Sequence, residues 1–198
     1  LNVCRACIRQ RWEEARALID ATFKASRKEL GLPTFPPRSL GIVCDDCGNR
    51  CKIAKGEKGY CGLVVNRNGK LVRLFGSGEK GLVSYYYDPH PTNCVAMPWC
   101  GSSGAGYPKY SVKPGREVGF ANLSIFSGSC SYFCQYCQNW VSWHSMLAEG
   151  KPTVSVEELC EAINQQTTCA CIFGGCPSVQ PEFVLEFMKL AKKRKQEL

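Results

Sequence analysis

The chain has 198 residues, enough for one or two domains and a sizeable core. Its 44% hydrophobic and 21% charged residues are those of an ordinary globular protein, and no apolar run is long enough to cross a bilayer. The net charge of +8 is scattered along the chain; its one dense run, 189–195, falls at the end of a predicted helix, where cations offset the helix dipole, so nucleic acid is not the expected partner.

No basic, apolar and small-residue start marks a secretion signal, which makes the cytoplasm the expected location. Cysteine is the anomaly. There are 15 in the chain, an odd number with no sign of export, and several fall in Cys-x-x-Cys units. That pattern favours metal-bound thiolates in a reducing, anaerobic cytosol over a disulfide scaffold. The chain opens on Leu1 and ends on Leu198 inside a helical pattern, so a piece of a longer protein is expected.

In chain order, Ile8, Trp12, Ala15, Leu18, Ile19 and Phe23 recur at a helical repeat and predict a helix over residues 8–30. Gly31, Pro33, Pro36 and Pro37 end it and make a linker. Residues 39–118 form a cysteine- and glycine-rich module with a wrapping segment. Asn68-Gly69 between the apolar runs 61–65 and 70–75 predicts a hairpin. Residues 76–118, rich in Gly, Pro, Tyr and Ser, read as loops and short strands.

From residue 119 the texture changes. Residues 120–127 predict a short apolar strand, followed by a cysteine loop and a polar connection. A helix over 153–166 follows, with Ser155 as N-cap and Glu158 three residues on, as in a capping box. A second strand, 169–175, is apolar on both faces, as buried parallel strands are. A last helix starts at Pro181. The order strand, helix, strand, helix predicts parallel α/β units with right-handed crossovers.

The chemistry concentrates in two places. The loop after the first of these strands carries Cys130, Cys134 and Cys137 at Cys-x3-Cys-x2-Cys. Three thiolates on a four-iron cluster leave one iron open, which a catalytic centre needs and a purely structural one does not. In parallel α/β folds, sites lie at the carboxyl ends of strands, where this loop sits. The second place holds Cys44, Cys47, Cys51 and Cys61. Four thiolates can make a tetrahedral zinc site or hold a complete Fe–S cluster, so their sulfurs are expected to converge. The complete set suits zinc slightly better.

Cys4 with Cys7, and Cys94 with Cys100, are candidate halves of a third site. Cys160 is expected in the core, and Cys169 and Cys171 as small apolar residues of a buried strand. Cys176, beside a glycine pair, is a candidate site residue. His90 and His144 are expected at the surface.

The spacing of Cys130, Cys134 and Cys137, with Tyr136 just before the last cysteine, resembles the radical S-adenosylmethionine (SAM) superfamily. The string "CQYCQNW" is similar to its pyruvate formate-lyase activating enzyme-like branch. So is "DPHPTNCVAMPWCGSSGAGYPKYS", which resembles uncharacterised archaeal and bacterial members. The resemblance implies the N-terminal part of a (βα)6 partial TIM-like barrel, preceded by the helix and the metal-binding module, with later strands beyond Leu198. It implies a 4Fe–4S cluster on Cys130, Cys134 and Cys137, with SAM on the open iron. Reductive cleavage of SAM would then yield a 5′-deoxyadenosyl radical that abstracts hydrogen from a substrate. Tyr136 would flank the adenine. Gly174 and Gly175 would meet the SAM amino group, where a side chain would fill its space; they are therefore expected beside the cysteine loop, with the two strands as parallel neighbours. The family usually has an acidic residue where this chain has Cys176. Implied partners are SAM, an electron donor such as ferredoxin or flavodoxin, and a protein substrate, a glycyl-radical enzyme being one candidate. The competing reading is an iron–sulfur or zinc module for electron transfer or partner docking, without SAM chemistry.

Overall fold

A computed structural model describes residues 3–91 and 96–197. The predicted N-terminal helix is two helices, α1 (Arg5–Gln10) and α2 (Trp12–Lys28), broken at Arg11, whose φ of −135° and ψ of 51° leave the helical region. Of its expected apolar stripe only Ala15 is buried, and Ile8, Trp12 and Leu18 are exposed. Gly31, in the left-handed region, ends α2 by returning its N–H to the Lys28 carbonyl.

Two small hairpins follow. β1 (Ile42–Val43) and β2 (Lys52–Ile53) pair antiparallel. β3 (Val64–Arg67) and β4 (Lys70–Arg73) form the predicted hairpin. Asn68 and Gly69 both take positive φ at its turn, 51° and 81°, as a type I′ turn requires, and the Gly69 N–H caps back on Asn66 Oδ1 at 3.0 Å.

The main sheet corrects the sequence reading of residues 76–118. Instead of short pieces, β5 (Lys80–Pro89) is a ten-residue strand at the heart of the sheet. Its Tyr and Val residues favour a pleated surface, and the Gly and Pro around it obscured that preference. The remaining strands and α-helices are β6 (Ala121–Ser127), α3 (Trp140–Glu149), β7 (Thr153–Ser155), α4 (Val156–Glu161), β8 (Thr167–Gly174) and α5 (Pro181–Glu197). The sheet order is β7-β5-β6-β8, with β5 antiparallel to both β7 and β6, and β6 parallel to β8. The expected parallel pair is therefore present, in a mixed sheet.

The predicted helix over 153–166 is shorter because its first residues pair with β5 as β7. Ser155 still caps α4, accepting the Glu158 N–H at 3.0 Å. The polar connection after the cysteine loop is α3, which turns Trp143 and Met146 into the core. α4 and α5 cover one sheet face: Leu159, Cys160, Ile163, Phe183 and Phe187 pack on Val83, Leu123 and Ile125. β8 is not buried on both faces, for it lies at the sheet's edge and leaves Ala170 and Cys171 exposed. Among the described residues, no helix is long and apolar enough to cross a membrane.

Candidate metal and cofactor site

The loop after β6 is held by an aromatic plug. Phe133, inside the Cys130–Cys134 spacing, is only 1% exposed and takes φ of 51°. A bulky residue in the left-handed region costs about 1–3 kcal/mol and persists only where packing over-determines it. Here the packing comes from Trp143, edge-on at 4.8 Å, Tyr60, edge-on at 5.5 Å, and the Arg27 guanidinium at 4.2 Å over the ring. The plug fixes the turn, and Cys130, Cys134 and Cys137 remain only partly covered around it. The Tyr132 N–H points at Cys130 Sγ, 3.4 Å away, and the Cys137 N–H donates to the Cys134 carbonyl at 3.1 Å. Burial raises the Cys130 thiol pKa, and the neighbouring charges of Cys176 and Cys134 add to the rise. Tyr136 is 88% exposed, so its ring has no packing role that competes with a ligand.

Gly174 and Gly175 lie against this loop. The Cys176 N–H donates to the Ser129 carbonyl at 3.2 Å. Both glycines are required, for a reason that differs from the expectation. A Cβ on Gly174 would stand 2.3 Å from the Phe126 ring. A Cβ on Gly175, whose φ is +74°, would stand 2.5 Å from the Ser127 carbonyl oxygen and 2.8 Å from that of Ser129. A side chain at Gly174 would thus first meet the Phe126 ring, and one at Gly175 the backbone of β6 and the cysteine loop.

The second cysteine set is built on the β1–β2 hairpin. The Cys44 N–H donates to the Cys51 carbonyl at 2.9 Å, and the Arg50 N–H to the Cys47 carbonyl at 3.1 Å, which closes a knuckle. The Tyr60 N–H points at Cys51 Sγ, 3.4 Å away. Burial pushes the Cys44 thiol up to about 12 and Cys61 up to about 11. The fields of Cys47 and Cys51 raise Cys61 further, and that of Cys61 raises Cys44. Burial also raises Cys47, with Cys51 and Cys176 adding to it. The four thiols therefore share one neighbourhood.

The two sets abut. Ser129 Oγ donates to the Cys61 carbonyl at 2.6 Å, and Asn49 Nδ2 to the Ser131 carbonyl at 2.8 Å. Cys176 stands between them, hydrogen-bonded to Ser131 Oγ at 3.2 Å and Ser178 Oγ at 3.0 Å. Burial would raise its pKa, but those hydrogen bonds outweigh burial and lower it. Cationic groups flank the sulfurs. Arg73 pairs with Asp46 next to Cys44. Arg27, 1% exposed, lies 3.7 Å over the Tyr60 ring, and burial lowers its pKa.

Chemically, the donors suit the groups expected on them. The predicted ligand cysteines are all thiols. Two buried donors packed on Phe133, Arg27 Nη1 and Trp143 Nε1, have no acceptor among the described residues. Among the described residues, no three or more Cys, His, Asp or Glu side chains surround one point as for a single ion. The expected convergence of Cys44, Cys47, Cys51 and Cys61 is thus not drawn tight. For the loop triad that geometry is not required, because each thiolate of a cluster binds a different iron.

Similarity to known proteins is slight. The chain is 24% identical over 161 residues to "Uncharacterized protein MJ0808" of Methanocaldococcus jannaschii. That match covers 77% of this chain and 40% of the relative's length. No family model and no solved structure matches the chain.

The other predicted positions divide. Cys160 is in the core, as expected. Cys4 and Cys7 stand together, sulfurs 3.4 Å apart, at the start of α1. Cys100 accepts from Ser102 Oγ at 3.2 Å, and Cys94 lies outside the described residues. Cys171 is exposed and Cys169 only half-buried, because β8 is an edge strand. His144 faces Glu29 across 3.4 Å at the surface of α3. His90 is not a surface residue: it is 4% exposed and bonded to a buried carboxylate. No sequence motif marks the connecting role of Ser129, Ser131 and Asn49. Serines flanking the first cysteine were the one available signal.

Proposed function

We propose that the chain is the N-terminal part of a radical SAM enzyme's partial barrel, with Cys130, Cys134 and Cys137 as the ligands of a 4Fe–4S cluster. The observation that carries this reading is the shared edge: β6 and β8 are parallel neighbours, and the cysteine loop and Gly174–Gly175 leave that edge in backbone contact. The open edge of β8 and the exposed Leu185, Met188 and Leu190 of α5 are the surfaces that a further strand–helix unit would cover.

Held by Cys130, Cys134 and Cys137, the cluster would supply the electron for reductive cleavage of SAM. The residues of this chain hold and shape. Cys130, Cys134 and Cys137 donate thiolates from a turn locked by Phe133. Gly174 and Gly175 keep the strand end close to that turn and present backbone rather than side chain to the amino end of SAM. Tyr136 would flank the adenine. Cys176 brings a thiol, hydrogen-bonded by Ser131 and Ser178, to the position where the family usually carries a carboxylate. Cys44, Cys47, Cys51 and Cys61 would hold a second centre, zinc or Fe–S, through their thiolates.

The protein works in the cytoplasm, takes electrons from a ferredoxin- or flavodoxin-type donor and acts on a substrate that includes protein targets of the glycyl-radical class. The whole relative is longer than this chain, so the substrate pocket is assigned to the later strands. The anaerobically reconstituted full-length protein, reduced with dithionite, should release 5′-deoxyadenosine from SAM, and its Cys130→Ala, Cys134→Ala, Cys137→Ala variant should release none. An intact cluster spectrum with neither SAM binding nor cleavage would instead favour an electron-transfer or docking module.

A further inference from the structure

A second constellation lies at the other end of β8 and plays no part in the chemistry above. His90, just after β5, is 4% exposed, and Glu117, just before β6, is 1% exposed. Glu117 Oε2 lies 3.2 Å from His90 Nδ1. Glu117 is fully engaged as an acceptor: Thr168 Oγ1 donates to Oε2 at 2.6 Å, and Ser111 Oγ and the Val112 N–H donate to Oε1, each at 2.9 Å. Burial alone would raise the carboxyl, but the hydrogen bonds from Thr168, Val112 and Ser111 outweigh it and hold it below the ordinary range. An ionised carboxylate only accepts, so it fixes the imidazole proton on Nδ1. Nε2 is left as the acceptor, and Cys169 Sγ lies 3.6 Å from it. The single Cys169 S–H has two acceptors within reach, His90 Nε2 and, 3.3 Å from the sulfur, Asn122 Oδ1.

A thiol, an imidazole facing it and a carboxylate orienting the imidazole are the three parts that activate a cysteine nucleophile. They come from three separate segments, which the pairing of β5, β6 and β8 brings together. Cys169 is half-buried and lines a surface cleft of about 110 Å³ with Ile163, Thr167, Thr168, Ala170 and Ala191. None of these side chains is charged. The cleft therefore suits a small uncharged group.

We propose that Cys169, His90 and Glu117 form a second reactive centre, in which His90 Nε2 takes the Cys169 proton and the sulfur attacks small uncharged carbon electrophiles, acyl thioesters being the natural class. Attack on the thioester carbonyl forms a bond from Cys169 Sγ to carbon and breaks the bond to the carrier sulfur. The carrier leaves as a thiolate and takes the proton from His90, so the acyl group ends on Cys169 with no net change in protons or electrons. Glu117 is a positioning residue, acting through His90. The centre is independent of the cluster reading, since it shares no residue with either predicted ligand set.

The test uses the full chain and two probes, with mass spectrometry to locate the modified peptide. With iodoacetamide at pH 7, Cys169 should react at least about tenfold faster than the exposed Cys171, because a thiol without a neighbouring base is mostly protonated there. Exposure alone predicts the reverse order, for Cys171 is the more exposed. His90→Gln, checked for native circular dichroism, should bring the two rates within about twofold, and Glu117→Gln should lower the Cys169 rate while leaving that of Cys171 unchanged. S-acetyl-N-acetylcysteamine should acetylate Cys169 in the wild-type chain and not in His90→Gln. The proposal is overturned if wild-type Cys169 reacts no faster than Cys171, a comparison that needs no variant to fold. It is equally overturned if the excess rate survives in folded His90→Gln, or if the thioester leaves Cys169 unmodified.

Discussion

The two cysteine regions use the same donor atom and hold it in opposite ways. Cys44, Cys51 and Cys61 are buried, and burial keeps Cys44 and Cys61 protonated, with pKa values up at about 12 and about 11. Cys130, Cys134 and Cys137 are only partly covered, on a turn whose one deeply buried residue is Phe133. In the first region the thiols are themselves part of the core; in the second an aromatic ring fills the core so that the thiols can stay at the rim. A closed, fully ligated centre suits the first and an open catalytic one the second. Because Ser129 bonds Cys61 and Asn49 bonds Ser131, the second turn is braced by the first. The buried module thus supports the open one.

Removing the shared plug should break this contrast most severely. Phe133→Ala empties a site bounded by Tyr60 on one side and Trp143 on the other. Loss of a buried Phe should lower unfolding free energy by about 3–5 kcal/mol, measured by urea denaturation. A loss under about 1 kcal/mol would mean that the plug does not hold the turn.

Gly175→Ala is milder and more selective. The added Cβ meets the carbonyl oxygens of Ser127 and Ser129, at a φ of +74°, and should cost about 1–3 kcal/mol. Its distinguishing effect is local. Amide exchange should quicken across residues 129–137 and stay unchanged across 51–66. Uniform quickening in both regions would show that they are one unit rather than a braced pair.

The legible parts of the sequence were those written in local chemistry. Asn68-Gly69 specified its hairpin because only that turn type places both residues at positive φ. Ser155 marked its helix start through its own hydroxyl, and the 120–127 and 169–175 runs gave the parallel pair. What could not be read depends on pairing between distant segments. β5 read as loops and short strands because its Gly and Pro neighbours outweighed its Tyr and Val, and its partners are β6 and β7, far along the chain. The short β7 was absorbed into a helix pattern because its three residues pair only with β5. His90 looked like a surface histidine because its partner, Glu117, is 27 residues away with no motif joining them. For the candidate site, the cysteine spacings named the donors, while the plug at Phe133 and the braces from Ser129 and Asn49 exist only in the folded chain.

The central claim is that the open turn carries a cluster of its own. Iron and acid-labile sulfide counted after anaerobic reconstitution test it most directly, comparing wild type with the Cys130→Ala, Cys134→Ala, Cys137→Ala protein. The account predicts a loss of about four irons and four sulfides per chain in the triple variant, with the metal on Cys44, Cys47, Cys51 and Cys61 retained. Equal iron and sulfide in the two proteins would contradict it.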